Sequence, residues 1–216
     1  MPPTIITSPR ERILRESEHL IHLQGFRCTS LEDIASRCGM TKANLLHHFK
    51  SKEELGLAVL DYKIDCYRRN CLDPLFSGEP DPGDAVTKLF DMASCFHRQN
   101  GCKAGCFIAN IALEMSDASE RFRGRAGRFF EEWASRIEDL LRRHQTQGHL
   151  KHSLDCRTCA EAILSLYEGA VMLARTRRDP RVFDRVGQVA RELVESHRTL
   201  RTRPKTLSIP SNLTRR

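Results

Sequence analysis

Residues 29–60 read TSLEDIASRCGMTKANLLHHFKSKEELGLAVL, and their spacing decides the fold of this part of the chain. Thr29 or Ser30 caps a short helix in which Leu31, Ile34, Ala35 and Cys38 fall at i, i+3, i+4 and i+7 and so share one face. Gly39 ends it, because a tight turn at Cys38-Gly39-Met40 needs a residue that tolerates positive φ. Thr41 caps the next helix, Lys42 to about His48, and Leu45 and Phe49 turn back to the core at i, i+4. Ser51 through Glu54 has the form of a capping box and opens a longer helix to about Asn70. Two short helices, a glycine turn and a small residue (Ala35) at the close approach follow the logic of a helix-turn-helix, whose second helix enters the DNA major groove. The face left outside is Lys42, Ala43, Asn44, His47 and His48, short or polar as a helix that reads base edges requires.

Outward from this stretch the pattern stays helical. Ser8-Pro9-Arg10-Glu11 is a capping box with proline at the first helical position, Ile13, Leu14, Ser17, Leu20 and Ile21 line one face, and Gly25 closes the helix. Residues 72–84, LDPLFSGEPDPGD, read as a loop. Helices follow at about 83–99, 105–116, 119–145, 155–176 and 180–199, with a polar loop at 144–155. No strand pattern competes, so the expected fold is all-α with about nine helices. We divide the chain into a helix-turn-helix module (1–50), a neutral helical body (51–200) and a disordered basic tail (201–216). Ile163, Leu164, Tyr167, Val171 and Leu173, then Val182, Val186, Val189, Leu193 and Val194, give the last two helices wide apolar faces suited to a dimeric four-helix bundle.

Charge supports this division. Of a formal net charge of +7 over 216 residues, residues 1–52 hold eight Lys/Arg against five Asp/Glu, and 201–216 hold five against none. Basic ends on a neutral body permit nucleic-acid binding. No apolar run approaches the roughly 18 residues of a membrane span. With no export signal at the N-terminus, the nine cysteines are expected as reduced thiols in a cytoplasmic protein.

Residues 29–60 resemble the DNA-binding signature of the TetR family of transcriptional regulators, AcrR-like members included: Thr29, Ile34, Ala35, Gly39, Thr41, Leu45, His48, Phe49, Ser51, Lys52 and Leu55 match it. The resemblance implies a homodimer on a roughly palindromic double-stranded operator, with 1–50 as the DNA-binding domain and 51–200 as the effector-binding and dimerisation domain. Carried over by position, Thr29, Thr41, His48 and Lys52 would contact phosphates, and Lys42, Ala43, Asn44 and His47 would face bases. Leu46 stands where the family usually has tyrosine, and it cannot form a tyrosine's hydrogen bond to phosphate.

The body carries no GxGxxG, Walker A, HExxH or GxSxG motif, and no cofactor is expected. His149, His152, Cys156 and Cys159, with His144 nearby, have zinc-like spacing, but Cys159 reads equally as the apolar face of a helix capped by Asp155, and no metal is expected. Residues 100–117, NGCKAGCFIANIALEMSD, are more informative. Cys106 falls at the start of a helix, where the dipole and neighbouring Lys103 are expected to favour its thiolate, and Asn110 and Glu114 follow on the same face of an otherwise apolar helix. Polar groups on such a helix mark a candidate effector cavity, with Phe107, Phe96, Met92 and Trp133 as further lining; the other reading is a buried inert thiol, with Asn110 and Glu114 bonded to neighbouring helices. The segment resembles the G-C-x-x-x-N-x-x-x-E stretch of TetR-like regulators that respond to electrophiles or small carbonyl compounds. The leading expectation is an effector-responsive repressor, not an enzyme. The alternatives are a thiol enzyme with Cys106 as nucleophile and His97 as base, and an unregulated architectural DNA binder.

Overall fold

The structure, a computed structural model, describes residues 8–199. The basic tail expected at 201–216 lies outside the described residues. Among the described residues every regular element is helical: α1 (Pro9–Gln24), α2 (Leu31–Arg37), α3 (Lys42–His48), α4 (Lys52–Tyr67), a π turn (Arg68–Leu72), α5 (Asp73–Phe76), α6 (Pro82–Gln99), α7 (Phe107–Met115), α8 (Glu120–Thr146), α9 (Cys156–Arg177) and α10 (Arg181–Glu195). The π turn joins α4 to α5 without a break, which leaves nine separate helices in the all-α fold expected.

The start signals act as read. Ser8, Ser30, Thr41 and Ser51 each accept a hydrogen bond from a backbone N–H three residues on, and Asp33 completes a reciprocal box with Ser30. Gly39 sits at φ 63° in the turn between α2 and α3. Ile13, Ile34, Leu45 and Phe49 are fully buried and close the small N-terminal core.

Three boundaries differ from the expectation. The helix from Lys52 continues past Asn70 to Phe76, because a π turn absorbs one extra residue where Arg68 pairs with Glu132 of α8 at 2.6 Å. The helix expected from 105 starts at Phe107, since Cys102, Ala104 and Gly105 all adopt positive φ. The last helix ends at Glu195, four residues early, because the chain beyond it pairs with the loop after α8: Lys151 N–H donates to the His197 carbonyl at 2.8 Å and Thr199 N–H to the His149 carbonyl at 3.1 Å.

In the body α10 packs on α6 and α9, and α8 packs on α9, α7 and α4. Trp133, Phe129, Phe122, Phe90 and Phe183 fill the centre. Helix α4 also packs on α1, so one helix belongs to both cores. Half of the apolar face expected at a dimer interface is internal instead: Ile163, Tyr167, Val171, Val182 and Val194 are buried against α6 and the rest of the body. Met172 (60% exposed) and Val189 (48%) remain outside, with Leu164, Leu173, Val186 and Leu193 half-buried.

Candidate nucleic-acid interface and effector cavity

Helix α3 displays the face its sequence implies. Lys42, Ala43, Asn44 and His47 are exposed, and His48 is half-buried at the edge. Thr41 is exposed and its hydroxyl accepts from the Asn44 N–H at 3.1 Å, so the cap leaves the Asn44 side chain outward. Lys42 pairs with Glu32 of α2.

Two of the residues expected at phosphates are placed differently. Thr29 has no exposed surface: its hydroxyl donates to the Gly25 carbonyl at 2.7 Å and accepts from Gln24 at 3.3 Å. A hydroxyl so paired closes the α1–α2 turn and does not reach a phosphate, while Ser30 is the helix cap. The Lys52 ammonium lies 4.8 Å above the Phe26 ring and donates to the Arg27 carbonyl at 3.0 Å, holding the same turn from the α4 side.

Behind this module lies a cavity of about 320 Å³, lined by residues of α1 (His22), α4 (Lys63, Cys66, Tyr67), the π turn (Asn70, Cys71), α6 (Met92, Phe96, His97) and the start of α7 (Cys106, Phe107), and by Tyr167 of α9. Cys106, Phe107, Phe96 and Met92 thus line one space as the sequence suggests. The π turn carries Asn70 and Cys71 into that wall. A second, open groove of about 990 Å³ runs between α7 and α9, and Cys106 walls both spaces.

Three expected lining residues stand outside this cavity. Trp133 is fully buried within 5.8 Å of Phe129, Tyr67 and Tyr167, and backs the cavity without lining it. Asn110 donates to the Ala104 carbonyl at 2.7 Å and accepts from Arg175 at 3.4 Å, so it holds the strained loop before α7 and faces the groove. Glu114 points toward the DNA-binding module: one carboxylate oxygen accepts from the Phe26 N–H at 2.9 Å and the other from the Arg27 N–H at 2.6 Å. A carboxylate on two successive backbone N–H groups is a strong, charge-assisted clamp.

Polar groups in and beside the cavity have shifted properties with plain causes. Burial acts to raise Glu18, but His22 and Lys63 (Lys63 at 2.8 Å) outweigh it and hold its carboxyl at about 2. The Tyr67 and Tyr167 hydroxyls share a hydrogen bond of 2.7 Å, and burial pushes both phenols well above their ordinary range. His97 is lowered by burial and by His22, and its Nδ1 has no partner among the described residues. Cys106 does cap α7, its sulfur 3.5 Å from the Ala109 N–H. Burial and the facing Glu168 nevertheless push its thiol well up, contrary to the activated thiolate expected from the helix terminus. Desolvation penalises the thiolate more than two amide dipoles favour it. Lys103, expected to assist, is exposed.

Glu168 itself escaped the sequence reading, though its signal was there: a lone acid in the apolar run LSLYEGAVML (164–173). Among the described residues no three His, Cys, Asp or Glu gather to hold a metal. His144 bonds to the Pro80 carbonyl, and Cys156 to Gln145.

A helix-turn-helix held against a helical body that carries a cavity is the build of a DNA-binding regulator. Residues 82–189 match the family model described as the C-terminal domain of LmrA/YxaF-like transcriptional regulators, and residues 13–59 match that of bacterial regulatory proteins of the tetR family. The chain belongs to the TetR family of transcriptional regulators. It is 28% identical over 164 residues to the transcriptional regulator AcuR of Cereibacter sphaeroides, covering 76% of this chain and 74% of that protein. To the transcriptional repressor NemR of Escherichia coli it is 25% identical over 173 residues, covering 78% and 85%. A crystal structure of a TetR transcriptional regulator from Chloroflexus aurantiacus superimposes with a TM-score of 0.80 at 26% identity, covering 88% of this chain and 96% of that one. The relatives and matched domains are regulators, not enzymes, and among the described residues no helix is long and apolar enough to cross a membrane.

Proposed function

We propose that this protein is a cytoplasmic repressor that binds a palindromic operator as a homodimer and releases it when a small molecule occupies the cavity. In this reading 1–50 form the DNA-binding module and 51–200 the effector and dimerisation body. The partner copy docks on the outward face of α9 and α10 that leaves Met172 and Val189 exposed. Lys42, Ala43, Asn44 and His47 face bases, Thr41, His48 and Lys52 face phosphates, and Lys52 exchanges the Arg27 carbonyl for a phosphate oxygen.

One observation carries this reading. Helix α7 begins in the cavity wall with Cys106 and Phe107 and carries in its last turn Glu114, which holds the Phe26 and Arg27 N–H groups of the turn into the helix-turn-helix. A ligand that displaces the first turn of this nine-residue helix also displaces the clamp at its far end, and so changes the distance between the two recognition helices of a dimer. An effector with an electrophilic carbon would be captured by Cys106, since the thiol lies in the wall that the ligand touches. Selection of bound DNA from a random library tests the reading. The expected product is a two-fold symmetric site, and enrichment of an asymmetric site or of none would defeat it.

A further inference from the structure

Most polar groups around the cavity of about 320 Å³ are already engaged with one another. Lys63 pairs with Glu18 at 2.8 Å, so a cation and an ionised carboxylate cancel at that wall. His22 donates from Nε2 to the Gly105 carbonyl at 3.0 Å, and its Nδ1 lies 3.5 Å from Glu18. The Tyr67 and Tyr167 hydroxyls bond to each other. His97 is the exception. It lines the same space, is 3% exposed, and keeps a sealed Nδ1 with no hydrogen-bond partner among the described residues. Its ring is clamped, stacked on Phe183 of α10 at 5.0 Å and set edge-on to Phe96 at 5.4 Å. A polar ring buried and fixed without a partner is costly to keep and calls for a reason.

We propose, on the reading of the cavity as the effector site, that it takes an uncharged, largely apolar molecule by reversible contact alone, and that His97 Nε2 donates a hydrogen bond to that molecule's oxygen. The tautomer follows from the surroundings. An N–H left unpaired in the interior is a costlier orphan than a lone pair, so Nδ1 stays bare and Nε2 carries the proton.

The rest of the wall suits such a ligand. Met92, Phe96, Phe107 and Val171 supply apolar surface, and one fixed donor supplies orientation at little cost in ordering. Charge finds no counterpart there. Burial keeps the His97 imidazole neutral, and it pushes the Cys71 and Cys106 thiols and both phenols up, so none of them is ionised at neutral pH. A carboxylate would give up its water while the Lys63 charge is spent on Glu18. An ammonium would meet Lys63 itself, with the Glu18 carboxylate already shared between Lys63 and His22.

Trp133 is the chain's single tryptophan and packs 5.3 Å from Tyr67 and 4.9 Å from Tyr167, both in the cavity wall, so its emission reports occupancy in the full-length protein. Four probes of similar shape are titrated at pH 7.5: propylbenzene, benzyl methyl ether, N-methylbenzylamine and phenylacetate. The first two differ by one CH₂ exchanged for oxygen, so the ratio of their affinities isolates the hydrogen bond. His97→Phe keeps the stack on Phe183 and is expected to lower that ratio about three- to tenfold against wild type. An unchanged ratio overturns the proposal. So does binding of phenylacetate or N-methylbenzylamine as tight as that of the ether. If the larger ring fills the cavity, propylbenzene is lost as well, and the smaller His97→Val decides by the same ratio. No change in Trp133 emission with any probe overturns the proposal and the cavity's role together. Operator binding by wild-type protein saturated with benzyl methyl ether is scored separately. Its retention would remove the effector reading while the His97 ratio still establishes the ligand chemistry.

Discussion

Replacing Glu114 with alanine should separate the cavity from the helix-turn-helix. The two hydrogen bonds that Glu114 accepts, at 2.9 and 2.6 Å, are charge-assisted, and each such bond is worth about 1.5–3 kcal/mol when its partners are desolvated. The Phe26 N–H is part-buried and the Arg27 N–H exposed, so water replaces the second bond readily and the first poorly. We therefore expect Glu114→Ala to cost about 1–3 kcal/mol, concentrated in the turn between α1 and α2. Hydrogen exchange provides the local assay: the amides of Phe26 and Arg27 should lose protection by about 10- to 100-fold while those of α8 keep theirs. The functional assay is operator affinity by fluorescence anisotropy, with and without saturation of the cavity by N-ethylmaleimide. Glu114→Ala should bind the operator more weakly and respond less to the occupied cavity, since coupling energies of this kind are about 1–3 kcal/mol. Glu114→Gln keeps an acceptor without the charge and should fall between. Unchanged protection of both amides, or a full response to cavity occupancy in Glu114→Ala, would refute the idea that α7 transmits the signal.

Asn44→Ala should change operator preference, losing about 1–3 kcal/mol at one base position in a panel of single-base variants, because Asn44 is exposed on the reading face of α3. Lys52→Ala should weaken binding to all sequences alike and flatten the salt dependence by about one unit; a slope identical to wild type would confine Lys52 to its place on Phe26 and Arg27. Gly56→Ala should destabilise the protein by about 1–3 kcal/mol in urea unfolding, since a Cβ there would stand 2.3 Å from the Phe26 ring, which is itself packed on Phe122. Glu168 should make stability fall as pH rises. Its folded pKa of about 7 exceeds its ordinary value of 4.5, so the folded state holds the proton more tightly, and this contribution is complete below pH 4.5 and lost by about pH 7. Glu168→Gln should accordingly raise stability by about 2–3 kcal/mol at pH 8 and change it little at pH 4.5, as measured by thermal melts at the two values.

Sequence by itself determined the helices and the character of the first module. Caps at Ser8, Ser30, Thr41 and Ser51 act within three residues of themselves, and Gly39 answers to the steric limits of its own backbone, so local chemistry suffices to place them. The reading face of α3 follows from helical period alone, once Leu45 and Phe49 are taken as core. What depends on residues far apart in the chain came only with tertiary structure. Glu114 looked like a pocket residue because it shares a face with Cys106, yet it lies two turns further along the helix and meets a turn 87 and 88 residues earlier. Thr29 matched a signature, but the Gly25 carbonyl claims its hydroxyl. Cys106 begins a helix as expected, and the dipole argument holds as far as it goes. The sign of its shift was set by burial and then by Glu168 of α9, because desolvation depends on everything packed around an atom and not on its own helix.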